Sequence, residues 1–538
     1  PTASGDDGFV MRVQTDIATA STGKSNDDQF LIKVNTTGYT FDYAVDWGDS
    51  NTDSNVTGDI THTYASPGTY DVTITGTFPN IYFFNRYDRY KVLELKNWGS
   101  NQWETMQNAF WGCQNMELTA TDTADMSQVT TYSQAFRDCK SVTSFPNAEN
   151  WVTSNTTTCY LMFYNCIENT AVDTSTWNTS NVTNFSYTFA KNKKLTTLDG
   201  SNWDLTKVTN FSQVFEGCFL LTTITGNGNW RFITSGNLNF VKTFDNCYVL
   251  DGLNTTNWNM ERVTSLSETF RDCMALSELD LTNWDLTNCS SIRLWIYNCK
   301  ELTTLGDVSS LDTSNITNMQ YLFGACDKLT VDVSTWDVSN VATLGAFANN
   351  AGGTGSITGY QNWNTPALAG DLTNAFSYQS NAQDFPLWDA SSATTCSTFF
   401  RQSTFTNPTK TFNLKTTSAL TNCYVMFYQV SSIDDLTIGS DVDWSGVTNF
   451  QYTFANMGTL ALTFPSNFDW SSGTNFLNIL TNTTLSSADY NALLIDIESS
   501  NQNNSITFDA PTCVATGAGL TARTALINDH SWTFNDNS

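Results

Sequence analysis

The sequence predicts a mainly β fold: a solenoid of about 15 coils, preceded by a small β-sandwich and closed by a helical C-terminal cap. Three observations carry this prediction. One phrase recurs about every 26 residues through most of the chain, the first 80 residues alternate apolar and polar without that period, and two helical patterns follow the last repeat. The predicted domains are therefore a sandwich over residues 1–79, a solenoid over 80–480 and a capping unit over 481–538.

The repeat is clearest between Trp177 and Cys218, where one pattern occurs twice. Each copy ends on a phenylalanine or another apolar residue, here called the anchor. Positions four and seven residues before the anchor are apolar, which predicts a core-facing short helical turn, and the alternation after the anchor predicts a short strand. One strand and one helical turn per unit is the layout of leucine-rich repeats. The predicted anchors are Phe110, Phe136, Phe163, Phe189, Phe215, Phe244, Phe270, Ile296, Phe323, Phe347, Phe376, Phe400, Phe427, Phe454 and Leu480.

Cysteines and tryptophans follow the same grid. Eight of the 13 cysteines stand three residues after an anchor, four fill the apolar columns, and Cys513 alone lies outside. An odd number and the lack of Cys-x-x-Cys or Cys/His clusters argue against disulfides and zinc, so we expect buried, reduced thiols that act as small hydrophobes. Reduced thiols fit folding in a reducing compartment.

Tryptophans recur 10 to 14 residues before the anchors, which favours a structural ladder over a sugar-binding strip.

Composition restricts the function. The net charge of −28 argues against nucleic acid as a partner, and no apolar run is long enough for membrane insertion. The only histidines, His62 and His530, lie far apart, and no phosphate-binding loop or nucleophile elbow occurs. We therefore expect a protein that is not an enzyme, although a carboxylate pair of a carbohydrate-active enzyme stays open as an alternative. No cofactor is expected, with calcium as the one open possibility.

The N-terminal region carries a recognisable set of motifs. These are Asp46-Trp-Gly-Asp-Ser50, His62-Thr-Tyr64 and the segment from Pro67 to Val72. They resemble the polycystic kidney disease (PKD) domain, although Ser50 stands where that family usually has glycine. The resemblance implies an immunoglobulin-like sandwich that serves as a spacer or adhesion module. Asp46 and Asp49 are weak calcium candidates, and capping of a turn is the favoured alternative.

The repeat phrase Trp-Asp-x-Ser/Thr-Asn-Val-Thr-Asn-Phe/Met, followed by Phe-x-x-Cys-x-x-Leu, is best preserved at residues 203–221, 284–302 and 311–329. It resembles the BspA-like leucine-rich-repeat surface proteins, and similar repeats occur in tail and fibre proteins of marine bacteriophages. The resemblance implies a non-enzymatic protein that mediates adhesion.

Two settings follow from that resemblance. In the first, the chain is a bacteriophage fibre or appendage on the virion surface that contacts the host; in the second, it is a secreted adhesin on a bacterial cell surface. The start at Pro1 without a secretion signal, the end at Ser538 without an anchor and the reduced cysteines favour the first. The expected partner is a host or cell-surface protein or glycan, joined by other virion proteins in the first setting, and an oligomer is left open.

The residue directly after each anchor varies in type from turn to turn, whereas core positions keep one residue class. We therefore expect these residues to form a row of surface side chains. Tryptophan, tyrosine and arginine are enriched at interface hot spots, so this stripe is the hypothesised binding surface. The alternative is a solvated edge with incidental aromatic residues. The candidate binding residues are Trp111, Arg137, Tyr164, Arg271, Tyr297, Arg401 and Tyr428.

Overall fold

A computed structural model describes residues 7–18, 20–233, 235–351, 353–366, 368–380, 382, 385–466 and 468–538. The chain forms two units, one of Pro1–Thr264 with Asp272–Leu276 and one of Ser265–Arg271 with Ser277–Ser538. The fold is mainly β, a solenoid of about 17 turns with an antiparallel N-terminal sheet region and two C-terminal helices, which confirms the predicted fold class.

The N-terminal region consists of two sheets. The larger sheet has the order β4-β3-β6-β1-β7-β8 and the smaller one pairs β2 with β5. Phe30, Tyr43, Trp47 and Val72 are buried in its core. The alternation of apolar and polar residues predicts strands at 30–34, 39–45 and 70–74, which correspond to β2, β3 and β6, and it does not predict β1, β4 or β5. Because β1 pairs antiparallel with both β6 and β7, the large sheet continues past residue 79. The strands are β1 (Phe9–Gln14), β2 (Gln29–Ile32), β3 (Asp42–Asp46), β4 (Thr52–Val56), β5 (Ile60–Thr63), β6 (Thr69–Thr77), β7 (Val92–Asn97) and β8 (Glu117–Leu118).

Short strands in successive turns pair in parallel. Thr197 pairs with Thr223 and Leu198 with Ile224, an offset of one repeat. Most of the strands follow the anchors, as the alternation predicted, whereas those at 238–239, 263–265, 369–371 and 392–395 precede them. Threonine hydroxyls beside the strands add inter-turn bonds on the exposed side, as where Thr222 donates to the Thr196 carbonyl at 2.9 Å. The strands are β9 (Ser144–Phe145), β10 (Ala171–Val172), β11 (Thr197–Asp199), β12 (Thr223–Thr225), β13 (Leu238–Asn239), β14 (Val263–Ser265), β15 (Thr330–Asp332), β16 (Ser356–Thr358), β17 (Ala369–Asp371), β18 (Ser392–Thr395), β19 (Thr409–Phe412), β20 (Asp435–Ile438), β21 (Gly458–Thr463) and β22 (Thr483–Leu485). Three 3₁₀ turns accompany them, at Ala148–Asn150, Asn227–Asn229 and Tyr360–Asn362.

The segment around each anchor is not the predicted helical turn. Two residues before and two residues after the anchor, the backbone is left-handed, as at Gln134 (φ 59°) and Asp138 (φ 62°) around Phe136. Left-handed residues cannot continue a right-handed helix. Alternate N–H groups instead donate to the next turn: Gln134 to the carbonyl of Tyr160 at 2.8 Å and Asp138 to that of Tyr164 at 2.8 Å. Each anchor segment is therefore one rung of an inter-turn hydrogen-bond ladder.

This ladder corrects the repeat count. In most turns the anchor N–H donates to the carbonyl one residue before the next anchor, and the bond from Phe323 to the Phe347 carbonyl (2.8 Å) makes Ala348 the anchor of its turn, not Phe347. The same rule adds an early anchor at Phe83 and a late one at Ala510. The described residues thus hold seven anchors in the first unit and ten in the second, against about 15 predicted.

Tryptophan rings fill the core, and the predicted structural ladder is confirmed. The 12 repeat tryptophans are at most 4% exposed, which leaves no sugar-binding strip at these positions. Trp203 stacks on Trp230 with centroids 5.5 Å apart, and Trp363 stacks on Trp388 at 6.0 Å. The indole N–H of Trp230 donates to the Gly200 carbonyl at 3.1 Å.

All 13 cysteines are buried free thiols. Seven of the eight cysteines in the predicted column do more than fill space, because their Sγ donates to the anchor carbonyl of the preceding turn. Burial raises the pKa of these thiols, to about 12 at Cys326, so they stay protonated donors at neutral pH. The donors are Cys139, Cys166, Cys218, Cys247, Cys273, Cys299 and Cys326, with bonds of 2.8–3.2 Å.

The C-terminal unit matches its prediction. Helix α1 (Ser487–Ser500) begins after Ser486, whose Oγ accepts the Asp489 N–H at 3.1 Å, and β23 (Thr507–Ala510), α2 (Gly517–His530) and β24 (Thr533–Asp536) follow. Asp536 holds this unit together, since it accepts hydrogen bonds from Arg523 and from the Tyr490 hydroxyl at 2.8 Å. Within the described residues, no helix combines the length and apolarity needed to cross a bilayer.

Candidate functional site

The anchor segments place a set of side chains side by side, turn after turn. We call this set the turn face: the residues three and two before, and one and two after, each anchor. The ladder bonds of the anchor segments join mainly backbone N–H and carbonyl groups, so the side chains at these positions can vary. Tyrosines and arginines gather there in three clusters, one in the first unit and two in the second.

The predicted stripe belongs to the turn face, but it is not a freely exposed row. Its large members are half-buried, and most of its small members are fully buried because large neighbours in adjacent turns cover them. A Cβ added to Gly324, for example, would lie 2.8 Å from the ring of Tyr297. Ala348 leaves the stripe because it is an anchor, and Asn349 takes its place. The buried stripe members are Ala190, Asp245, Gly324, Ser377 and Ala455.

The first cluster brings three predicted residues together. The Arg137 guanidinium lies 4.5 Å from the ring centroid of Trp111 and 5.3 Å from that of Tyr164. Asp138 pairs with Arg137 at 3.4 Å and accepts the Trp111 indole N–H at 3.2 Å. The ammonium of Lys191 donates to the Tyr164 hydroxyl at 2.6 Å, and this hydrogen bond raises the pKa of Lys191. The charged groups of this cluster are thus largely used by one another.

The second cluster contains Arg271 and Tyr297, the predicted residues of two neighbouring turns. Arg271 forms an ion pair of 2.6 Å with Glu268, which also pairs with Arg293 at 3.1 Å. The ring of Tyr297 meets that of Tyr321 edge-on, with centroids 6.0 Å apart. Here too, each arginine has a carboxylate partner within the cluster.

The third cluster, here called the tyrosine cleft, is an open depression of about 250 Å³. The edge-on ring of Tyr452 lies 6.5 Å from Tyr424 and 6.0 Å from Tyr428, centroid to centroid. Arg401 stands beside them. The cleft is lined by Thr398, Arg401, Tyr424, Val425, Tyr428 and Tyr452.

Sequence reasoning found Arg401 and Tyr428 of this cleft and missed Tyr424 and Tyr452. Those two lie three and two residues before their anchors, where the predicted helical turn drew attention to core columns. The sequence does contain a signal for them, because the residue type at this position varies between turns as it does at surface positions. The position of Tyr452 holds Asn108, Leu161, Lys242 and Glu268 in other turns.

The two weak calcium candidates serve as turn caps. Asp46 accepts the Gly48 N–H at 2.9 Å, and Asp49 accepts the Asn51 N–H at 3.0 Å and bonds to His62 Nε2 at 2.9 Å. Burial alone would raise the pKa of Asp49, but the hydrogen bonds from His62 and Asn51 outweigh it and hold that pKa below its usual value. Among the residues described, no group of three His, Cys, Asp or Glu side chains is arranged to hold a metal ion.

Comparison with known proteins places the repeats in a family. The family model described as "Mycoplasma protein of unknown function, DUF285" matches residues 81–172, 147–238, 237–360 and 344–468. These matches run through both units and together cover more than half of the chain. No curated protein matches it.

Proposed function

We propose that this chain, which belongs to the DUF285 repeat family, is a non-enzymatic recognition protein that presents its turn face to a partner on an exposed surface. One observation carries the proposal: the turn face collects tyrosine, tryptophan and arginine into three clusters, while the tryptophans elsewhere in the repeats are buried. Aromatic and arginine side chains dominate binding hot spots, and each aromatic ring buries a large contact area.

Rigidity supports the same proposal. Each turn-face residue sits on a backbone held by hydrogen bonds to the next turn, such as Thr398 N–H to the Tyr424 carbonyl at 2.8 Å. A surface ordered before binding loses less conformational entropy when the partner arrives. The solenoid therefore acts as a scaffold that keeps these side chains in place for recognition.

As the setting, we propose a virion fibre or appendage protein that contacts the host surface. The buried free thiols support it, because virion proteins fold in a reducing cytosol. A bacterial cell-surface adhesin is the second candidate, favoured by the repeat phrase shared with BspA-like proteins. Mass spectrometry distinguishes them: the first requires peptides of this chain in purified virions, and the second requires them in the cell-envelope fraction of uninfected bacteria.

A binding assay tests recognition by the turn face. The labelled chain is incubated with a panel of bacteria that includes the organism carrying the gene and, in the virion setting, its host. A triple variant, Trp111→Ala, Tyr164→Ala and Tyr428→Ala, is expected to bind at least about tenfold more weakly, because hot-spot truncations exceed 1.4 kcal/mol. The control variant, Val152→Ala with Leu387→Ala, removes exposed apolar side chains outside the turn face and is expected to bind as wild type. Unchanged binding by the triple variant would exclude the turn face as the contact surface.

A further inference from the structure

We propose that the tyrosine cleft binds one acidic sugar residue of a surface glycan, with the sugar carboxylate on Arg401 and the sugar ring against the tyrosines. This inference rests on the proposed recognition function and names the class of ligand for one part of the turn face. Its residues all belong to the second unit.

Arg401 differs from the other two arginines of the predicted stripe. Arg137 pairs with Asp138, and Arg271 pairs with Glu268. Arg401 forms no ion pair with any residue the structure describes, and its guanidinium lies 5.3 Å from the Tyr378 ring centroid. Its buried Nε, like that of Arg137, has no hydrogen-bond partner there. An arginine that stays unpaired in a chain of net charge −28 is available to an external anion. Its planar fork matches a carboxylate, which it can bind through two parallel hydrogen bonds.

The walls of the cleft provide the rest of a sugar site. Tyr424, Tyr428 and Tyr452 offer ring faces and edges for the apolar C–H side of a pyranose. Their hydroxyl groups make no hydrogen bond to the described part of the chain, so they are free to bond sugar hydroxyls. No carboxylate is among the lining residues, so nothing within the cleft repels an anion. Charges farther away than about 8 Å are largely screened at physiological salt.

Size and rigidity favour a single ring over an extended molecule. The volume of about 250 Å³ lies below the roughly 300–1,000 Å³ of pockets for drug-sized ligands. Thr398, Val425 and Tyr452 are all left-handed, and their N–H groups donate to the next turn at 2.8, 3.0 and 3.3 Å. The cleft is therefore preformed, and a peptide segment would extend beyond it.

Titration calorimetry with a matched pair of probes tests the proposal. Tetragalacturonate carries one carboxylate on each ring, and its methyl ester has the same rings without charge. We expect the wild-type chain to bind the acid and to bind the ester at least about tenfold more weakly. Arg401→Gln is expected to lose the preference for the acid, and Arg401→Lys to recover part of it, because lysine keeps the charge and loses the bidentate geometry.

A pair of tyrosine variants controls for backbone effects. Tyr452→Ala and Tyr321→Ala change the same position of two turns, with φ of 58° and 56°, and both are on the turn face. Only Tyr452→Ala is expected to weaken acid binding, by about tenfold, since stacking on one aromatic ring is lost. Circular dichroism of both variants reports whether the solenoid remains folded.

The outcomes separate this inference from the proposed function. Equal binding of acid and ester, or equal losses in Tyr452→Ala and Tyr321→Ala, would overturn the acidic-sugar site. If the chain binds cells but neither probe, and cell binding resists glycosidase and yields to protease, the partner is a protein and the sugar assignment is wrong while recognition stands. The cell-binding test of the turn-face triple variant uses neither probe. Its result therefore supports or excludes recognition by the turn face whatever the calorimetry shows.

Discussion

The thiol column offers a direct test of the hydrogen-bond ladder. Cys247 is fully buried, and its Sγ donates to the Phe215 carbonyl of the preceding turn at 3.1 Å. The same column holds Thr483, whose hydroxyl donates to the Phe454 carbonyl at 2.6 Å, and Val430, which has no donor. Threonine and valine have nearly the same shape, so Cys247→Thr and Cys247→Val differ mainly by that donor.

The expected difference follows from the surroundings of the accepting carbonyl. Phe215 O already accepts the Cys218 N–H at 3.0 Å, so loss of the side-chain donor removes a second hydrogen bond and does not leave the carbonyl unpaired. A net intramolecular hydrogen bond is worth about 1 kcal/mol. We therefore expect Cys247→Thr to be about 1 kcal/mol more stable than Cys247→Val. If Cys247 only filled space, the valine variant would be the more stable one, because a buried hydroxyl without a partner is costly.

Hydrogen–deuterium exchange measures this difference locally, which suits a repeat protein whose turns contact mainly their neighbours. Peptides that span residues 240–250 are expected to exchange about fivefold faster in the valine variant, the rate ratio that corresponds to about 1 kcal/mol. Peptides from the second unit serve as the internal control. Slower exchange in the valine variant than in the threonine variant would refute the role of the thiols as ladder donors.

Three further predictions concern stability. Phe189→Ala should cost about 3–5 kcal/mol, because a fully buried anchor ring is lost, and hydrogen exchange should accelerate mainly in the turns beside it. Ala325→Asn should stabilise the chain by about 0.5–1 kcal/mol, seen as a higher urea midpoint, because Ala325 has a φ of 56° and asparagine tolerates the left-handed region better. Asp536→Asn should destabilise the C-terminal unit by about 3 kcal/mol at pH 7, measured by tryptophan fluorescence in urea. Burial raises the pKa of Asp536, but the hydrogen bonds from Arg523 and Tyr490 outweigh it and lower that pKa, so the stabilisation holds above about pH 4 and should fade as the pH falls further.

The core could be read from the sequence, and the backbone of the anchor segment could not. Core columns hold one residue class, as in Phe189 and Phe215, because packing in identical turns restricts size and polarity. The left-handed positions carry no such restriction on residue type. Asn108, Tyr187 and Val425 have φ of 58°, 58° and 60°, because inter-turn hydrogen bonds impose the conformation. Spacing of three and four residues therefore indicated a helix where the chain forms a ladder of turns.

The shift at Phe347 has the same origin. Its ring is buried and aromatic like an anchor, so residue type alone could not distinguish it from Ala348, the residue that occupies the anchor rung. One consequence is that the binding stripe was displaced by one residue in that turn. The hydrogen-bond register, and not the most apolar residue, defines the repeat.

Because backbone groups form the ladder, the solenoid separates the residues that stabilise it from those that can recognise a partner. Trp203 and Phe215 are confined to the core, whereas the turn face can exchange Arg401 for alanine, glutamate or glycine in other turns without losing a rung. Such positions are free to change with the ligand, at little cost in stability. The two arginines with carboxylate partners show the stabilising use of that freedom, and Arg401, which has no carboxylate partner among the described residues, is the one that we propose for ligand binding. Specificity in this fold would thus lie in the few turn-face residues whose polar groups the chain itself leaves unsatisfied.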